Sequence, residues 1–136
     1  MSAIWIMRAD GTHQERLTAP VLRAGGPSRP SQGRIAFDDN GNSPSSMGNS
    51  LFTMNVDGTD VLPLTQPMGS THDVGANYSP DGSRIVFASD RMSSDTSLDI
   101  FTIKPDGSDM KRIATGLTLG GCPDDGCVCP TWGRKP

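Results

Sequence analysis

Three segments of this 136-residue chain superpose without a gap: IWIMRADGTHQERLT from Ile4, LFTMNVDGTDVLPLT from Leu51 and IFTIKPDGSDMKRIA from Ile100. Their first residues lie 47 and 49 apart, and a fixed period of this size requires a fold built from similar stacked units. Each copy is an apolar stretch, an Asp-Gly pair and a second stretch ending in Leu or Ile followed by Thr or Ala. The pairs are Asp10-Gly11, Asp57-Gly58 and Asp106-Gly107. Asp-Gly between apolar runs signals a β-hairpin, and the expected turn is type I′, with positive φ at both central residues.

A second element recurs between the hairpins. Arg34-Ile35-Ala36-Phe37 matches Arg84-Ile85-Val86-Phe87 at a spacing of 50, and Pro30 matches Pro80. Just before it, Tyr78 stands in register with Ser28 and with Trp132, while Asp81-Gly82 turns the chain into the RIVF stretch. A full unit is therefore four strands: A around Tyr78, B through RIVF, C through IFTI and D through KRIA. Four strands in about 40 to 50 residues is the signature of a propeller blade. Strands B and C are nearly continuous apolar runs, as expected where neighbouring sheets cover both faces. A β-sandwich with similar hairpins is the competing architecture. Composition supports short strands and turns, with 27 Gly and Pro and with 14 Asp against the single Glu15, because Asp favours turns and Glu favours helix interiors.

NYSPDGSRIVFASDR followed by DIFTIKPDGSDMKRIA resembles the WD40-like repeat of the TolB-type β-propellers, whose blades carry W-S-P-D-G, an apolar strand, Ser-Asp-Arg and a D-I-Y-x-M-N-x-D-G hairpin. Ser79, Pro80, Asp81, Gly82, Ser89, Asp90, Arg91, Asp99 and Asp106-Gly107 occupy the motif positions. The second unit departs from it: Ser28 replaces the aromatic residue, Pro30-Ser31-Gln32-Gly33 replaces Pro-Asp-Gly, and Asp38-Asp39-Asn40-Gly41 replaces Ala-Ser-Asp-Arg. The expected fold class is all-β, a partial propeller of four-stranded antiparallel blades in the order CD, ABCD, ABCD, A. The chain reads as one domain, 1–136, with units near 1–26, 27–75 and 76–128 and the start of a further strand A at 129–136.

Propellers close with about 4 to 8 blades, and stacked repeats cannot bury their faces alone. Two full blades and two partial ones leave apolar faces open, which marks an interaction surface. The expected partners are therefore proteins, either a second copy that completes a propeller or a larger assembly. Two copies could form a ring of about six blades, each junction blade lacking a strand B. The resemblance likewise implies protein binding and a non-enzymatic scaffold or accessory role, with no cofactor.

Other chemistry is thinly represented. Cys122, Cys127 and Cys129 crowd GGCPDDGCVCP. Their spacing fits no common four-ligand zinc pattern, and only His13 and His72 could supplement them. A disulfide from Cys122 to Cys127 or Cys129 would staple the loop and leave one thiol over. A cysteine-centred metal or redox module is the alternative function. Asp38-Asp39-Asn40-Gly41-Asn42 alternates oxygen ligands, but Asn49 stands where an EF-hand closes with Glu, so a polar loop tip is expected. Ser89, Asp90, Arg91, Asp95 and Asp99 are expected to fix turns and pair across a blade. No Gly-x-Ser-x-Gly elbow or phosphate loop is present, so a second alternative is a regulatory propeller piece of a hydrolase.

A formal net charge of −3 without a basic run gives no nucleic-acid footprint. No run approaches the roughly 18 apolar residues of a spanning helix. Clustered cysteines suit an oxidising compartment, and the resemblance implies export. The stretch MSAIWIMRADG, however, has no long apolar segment of a signal peptide.

Overall fold

The computed structural model describes residues 2–19, 24–30, 33–39, 48–66, 69–93, 97–117 and 130–133. All regular structure among them is β. The strands are β1 (Trp5–Ile6), β2 (Glu15–Arg16), β3 (Gly25–Ser28), β4 (Ile35–Asp38), β5 (Leu51–Met54), β6 (Leu62–Pro63), β7 (Asp73–Tyr78), β8 (Ile85–Ser89), β9 (Leu98–Ile103) and β10 (Lys111–Leu117). They form a two-stranded sheet β1-β2 and two four-stranded sheets, β3-β4-β5-β6 and β7-β8-β9-β10. Every pairing within these sheets is antiparallel. The order is the CD, ABCD, ABCD expected from the repeat. Residues 130–133 carry no strand. No helix among the described residues is long and apolar enough to cross a membrane.

The turns differ from expectation. Asp10, Asp57 and Asp106 keep negative φ, and only Gly11, Gly58 and Gly107 are left-handed, at 82°, 80° and 83°. The glycine amides donate to the carbonyls of Arg8, Asn55 and Lys104, each three residues back, at 2.9 Å. This is a type I turn followed by a left-handed glycine, the three-residue hairpin connection, rather than the two-residue type I′. Two sequence features select it. Pro105 suits the second position of a type I turn, and the Asp carboxylate accepts from the amide and hydroxyl of Thr12, Thr59 or Ser108.

Two further residues along, His13, Asp60 and Asp109 all adopt φ of 54°. His and Asp are among the side chains that tolerate this region. The three hairpins thus share one backbone, including its second left-handed residue.

Alternation along the strands sends side chains to both faces. Ile35 and Phe37 of β4 join Met54 and Ala24 in a layer against Ile4 and Leu17 of the first hairpin. Ala36, Leu51 and Leu64 face the other way and meet Ala76, Tyr78, Ile85, Phe87, Phe101 and Ile103 of the third sheet. On the far side of that sheet Val86, Ala88, Leu98 and Ile100 form a third layer, onto which Val74, Ala114 and Trp132 pack. This two-sided burial is why β8 and β9 are buried at every residue and why their sequences do not alternate.

Candidate functional site

An arginine opens each strand B and closes its blade. Arg34 donates to Thr53 Oγ1 at 3.1 Å, to Asn55 Oδ1 at 2.8 Å and to Asp60 Oδ2 at 2.7 Å. It also reaches the Asp60 carbonyl. Arg84 repeats the pattern, donating to Thr102 Oγ1 at 3.1 Å, to Asp109 Oδ2 at 2.9 Å and to the Asp109 carbonyl at 2.7 Å. The left-handed backbone at Asp60 and Asp109 lets carboxylate and carbonyl face the same guanidinium, a fork that arginine fits and lysine does not. The Arg84 hydrogen bond, followed by that of Lys111, holds the Asp109 carboxyl below its usual range. The first hairpin has Ile6 where the others have Thr53 and Thr102, and His13 where they have Asp60 and Asp109. It is not equipped to grip such an arginine.

The Ser89-Asp90-Arg91 motif performs a second clamp. Arg91 pairs with Asp73 Oδ2 at 2.5 Å and donates through Nε to Ser89 Oγ at 3.2 Å. Its guanidinium carbon lies 5.6 Å from the ring centroids of both Phe87 and Phe101. Asp73 is fully buried, so this ion pair joins the start of strand A to the end of strand B away from water. Asp90 takes the amide and ring Nδ1 of His72, each at 2.8 Å, and Asp99 pairs with Arg112 at 3.2 Å. Asp95 lies outside the described residues.

The acidic run of the second unit is drawn inward. Asp39 Oδ1 accepts the Ser50 amide at 2.9 Å and Asp38 Oδ2 the Gly75 amide at 3.4 Å. Both residues are buried, so these carboxylates tie backbone rather than present ligands at a loop tip. Asn40 to Met47, including Gly41 and Asn42, lie outside the described residues, as do Cys122, Cys127 and Cys129. Among the described residues no three His, Cys, Asp or Glu side chains gather as a metal site.

The turn carboxylates carry the clearest electrostatic signature. Hydroxyl hydrogen bonds from Thr12, Thr59 and Ser108, with the amides second, lower Asp10, Asp57 and Asp106. Asp81 is lowered furthest, from 3.8 to about 2, first by the Ser79 hydroxyl and then by the Ser83 amide and hydroxyl. A folded-state value below the unfolded one stabilises the fold fully above the unfolded value, and this contribution is lost as pH falls toward the folded value. The Asp81 carboxyl carbon should therefore titrate with a midpoint of about 2 by NMR. Ser79→Ala should move it up toward 3.8. A wild-type midpoint already at 3.8 would refute this account.

One concavity stands between the first hairpin and the second sheet. It encloses about 170 Å³ and is lined by Ile4, Trp5, Ile6, Leu17, Pro27, Ser28, Arg29 and Ile35. Ser28 does not aim a free hydroxyl into it, since Oγ donates to Asn77 Oδ1 at 3.1 Å and accepts the Tyr78 amide at 3.0 Å. The wall is apolar.

No family model matches the chain. Among solved structures, one assigned as TolB from Agrobacterium tumefaciens is similar with a TM-score of 0.66 and 25% identity. That match covers 81% of this chain and 40% of the other. TolB from Acinetobacter baumannii is similar with a TM-score of 0.61 and 25% identity, over 81% of this chain and 26% of the other. The tricorn protease matches with a TM-score of 0.57 and 18% identity, over 84% of this chain and 10% of that one, which is a likeness of fold alone. The chain thus spans less than half the length of the TolB structures it matches. Three antiparallel sheets stacked through apolar layers, repeated hairpins and these likenesses agree: the described residues form a segment of a TolB-like β-propeller.

Proposed function

We propose that this chain is a non-enzymatic protein-interaction or scaffold segment that completes its open propeller faces with another polypeptide. The observation that carries this reading is the state of the first hairpin. Phe52 and Phe101 stack on Phe37 and Phe87 of their neighbouring strand B, with centroids 5.7 and 5.6 Å apart. Trp5, at the equivalent position, has no such neighbour among the described residues and is 58% exposed. Met7 is 63% exposed, whereas its equivalents Met54 and Ile103 are wholly buried. Among the described residues strand β1 pairs with β2 alone, and an unpaired strand edge is a template for strand addition.

The polar clusters support a non-enzymatic role, since the arginines and carboxylates of the repeat motif are used in holding blades together. The test is the native mass of the protein isolated from its source without overexpression. A mass well above the 14.4 kDa of one chain is expected, from further copies or from other polypeptides. A monodisperse single chain would overturn the proposal.

A further inference from the structure

In the second sheet the arginine that opens strand B sits between its own hairpin and the strand A of the next sheet. Arg34 donates to Thr53 and Asp60. Tyr78 of the third sheet lies within range of its charge: burial pushes the Tyr78 phenol up, and Arg34 pulls against it. The same positions recur around β1 with other residues. Ile6 stands for Thr53 and His13 for Asp60. The pairing register sets Ser28 opposite Ala36 as it sets Asn77 opposite Val86, so Arg29, one residue on, stands for Tyr78. Arg8 stands where the third sheet has Lys104, but His13 replaces the Asp109 that accompanies that lysine.

A strand B laid along the edge of β1 away from β2 would place its first residue among Ile6, His13 and Arg29, and Ile6 and Arg29 do line one concavity. Arg29 is exposed, and neither it nor Arg8 makes an ion pair among the described residues. The carboxylates of the hairpin do not offset them. Asp10 is taken by Thr12, and Glu15 lies on β2, along the opposite edge of β1.

From these replacements we infer that the β1 edge accepts an extended segment of another polypeptide that carries Asp or Glu where this chain's own strands B carry arginine, with an aromatic residue three positions later. The aromatic requirement follows from Phe37 and Phe87, which lie three residues after Arg34 and Arg84 and stack on Phe52 and Phe101. Trp5 is the equivalent of those two partners. The acidic requirement follows from charge, since an arginine there would face Arg29 with no carboxylate to receive it, and like charges brought together exclude a partner. A second copy does not fit, because its strands B begin with Arg34 and Arg84, each latched inside its own sheet. The inference rests on the proposed interaction at the β1 edge and specifies the partner's chemistry.

The test titrates the full 136-residue chain with two capped synthetic peptides, one copying residues 33–39 and the other its Arg34→Glu form. The Trp5 indole and the Ile4 and Ile6 methyl NMR signals are followed. The glutamate form should bind at least about tenfold more tightly, which corresponds to about 1.4 kcal/mol. The net charge of −3 would by itself favour the arginine form, so bulk attraction cannot produce this order. The double variant His13→Asp, Arg29→Glu restores the aspartate of the other hairpins at two exposed positions and should reverse the preference. Equal affinities, binding of neither peptide, or no reversal in the folded variant would overturn the inference. Trp5 shifts that grow with chain concentration in the absence of peptide would also overturn it, by assigning the edge to a second copy. A native mass above that of one chain, without discrimination between the peptides, removes this inference and leaves the interaction reading standing.

Discussion

Replacing Arg91 with alanine should lower the unfolding free energy by about 3–5 kcal/mol, because it leaves the Asp73 carboxylate buried without its cation. Asp73 is fully buried, and the Arg91 side chain is only 19% exposed, so water cannot substitute for the lost partner. The same substitution strips a guanidinium from the faces of Phe87 and Phe101 and removes the Nε donor to Ser89, whose hydroxyl among the described residues keeps only the Arg91 amide. Urea unfolding followed by circular dichroism measures the cost. Replacing both members, with Arg91→Met and Asp73→Leu, should cost less than Arg91→Ala alone, since a well-packed apolar pair carries no desolvation penalty. A loss under about 1 kcal/mol for Arg91→Ala, the range of exposed pairs, would show that Asp73 does not depend on this cation.

Gly48→Ala should be similarly severe, through crowding rather than charge. A β-carbon there would lie 1.9 Å from the Thr71 carbonyl oxygen and 2.8 Å from its carbon, and a backbone obstacle cannot swing aside. At this site the backbones leading into β5 and β7 touch. Asn49 and His72 form a parallel bridge, and the Asp73 amide donates to the Asn49 carbonyl at 3.0 Å. Overpacking of this kind costs about 3 kcal/mol, here by prying two sheets apart. Gly69→Ala is the matched comparison, because nothing lies within 4 Å of its β-carbon position while its φ is +68°. It should cost only the about 1–2 kcal/mol of left-handed backbone. Equal losses for the two would disprove the close approach.

The strand order was legible in the chain because hairpin identity is local: an apolar run, Asp-Gly and a second run specify C and D wherever they recur. The turn type was not, since Asp-Gly satisfies both a two-residue and a three-residue connection. Pro105 and the Thr or Ser after each glycine were the residues that could have decided it. The arginine latches were missed for a different reason. Arg34 and Arg84 were visible at equivalent positions, as were Asp60 and Asp109, but only folding the hairpin back along strand B brings each pair into contact. Ser28 was visible as a departure from the aromatic pattern. That the expected register with Tyr78 slips by one, Ser28 lying opposite Ala36 while Tyr78 lies opposite Ile85, follows only from the folded sheets, where the turn before Arg34 is one residue shorter than the turn before Arg84. The cysteine cluster lies outside the described residues, and the loop staple expected there stands as a proposal.

The latches also bear on how such chains change over evolutionary time. Arg34 meets Asp60 across 26 positions and Arg84 meets Asp109 across 25, so each grip begins and ends inside a single sheet. Neighbouring sheets are joined mainly by side-chain layers, a nearest-neighbour arrangement in which each unit is a module. A module that carries its own arginine latch can be duplicated or deleted without severing the latch of its neighbour. What a new neighbour must supply is chiefly an apolar face of the right shape, with a few hydrogen-bond partners such as the Asn49 carbonyl that takes the Asp73 amide, and this lets the number of blades drift while the residues within a blade stay recognisable.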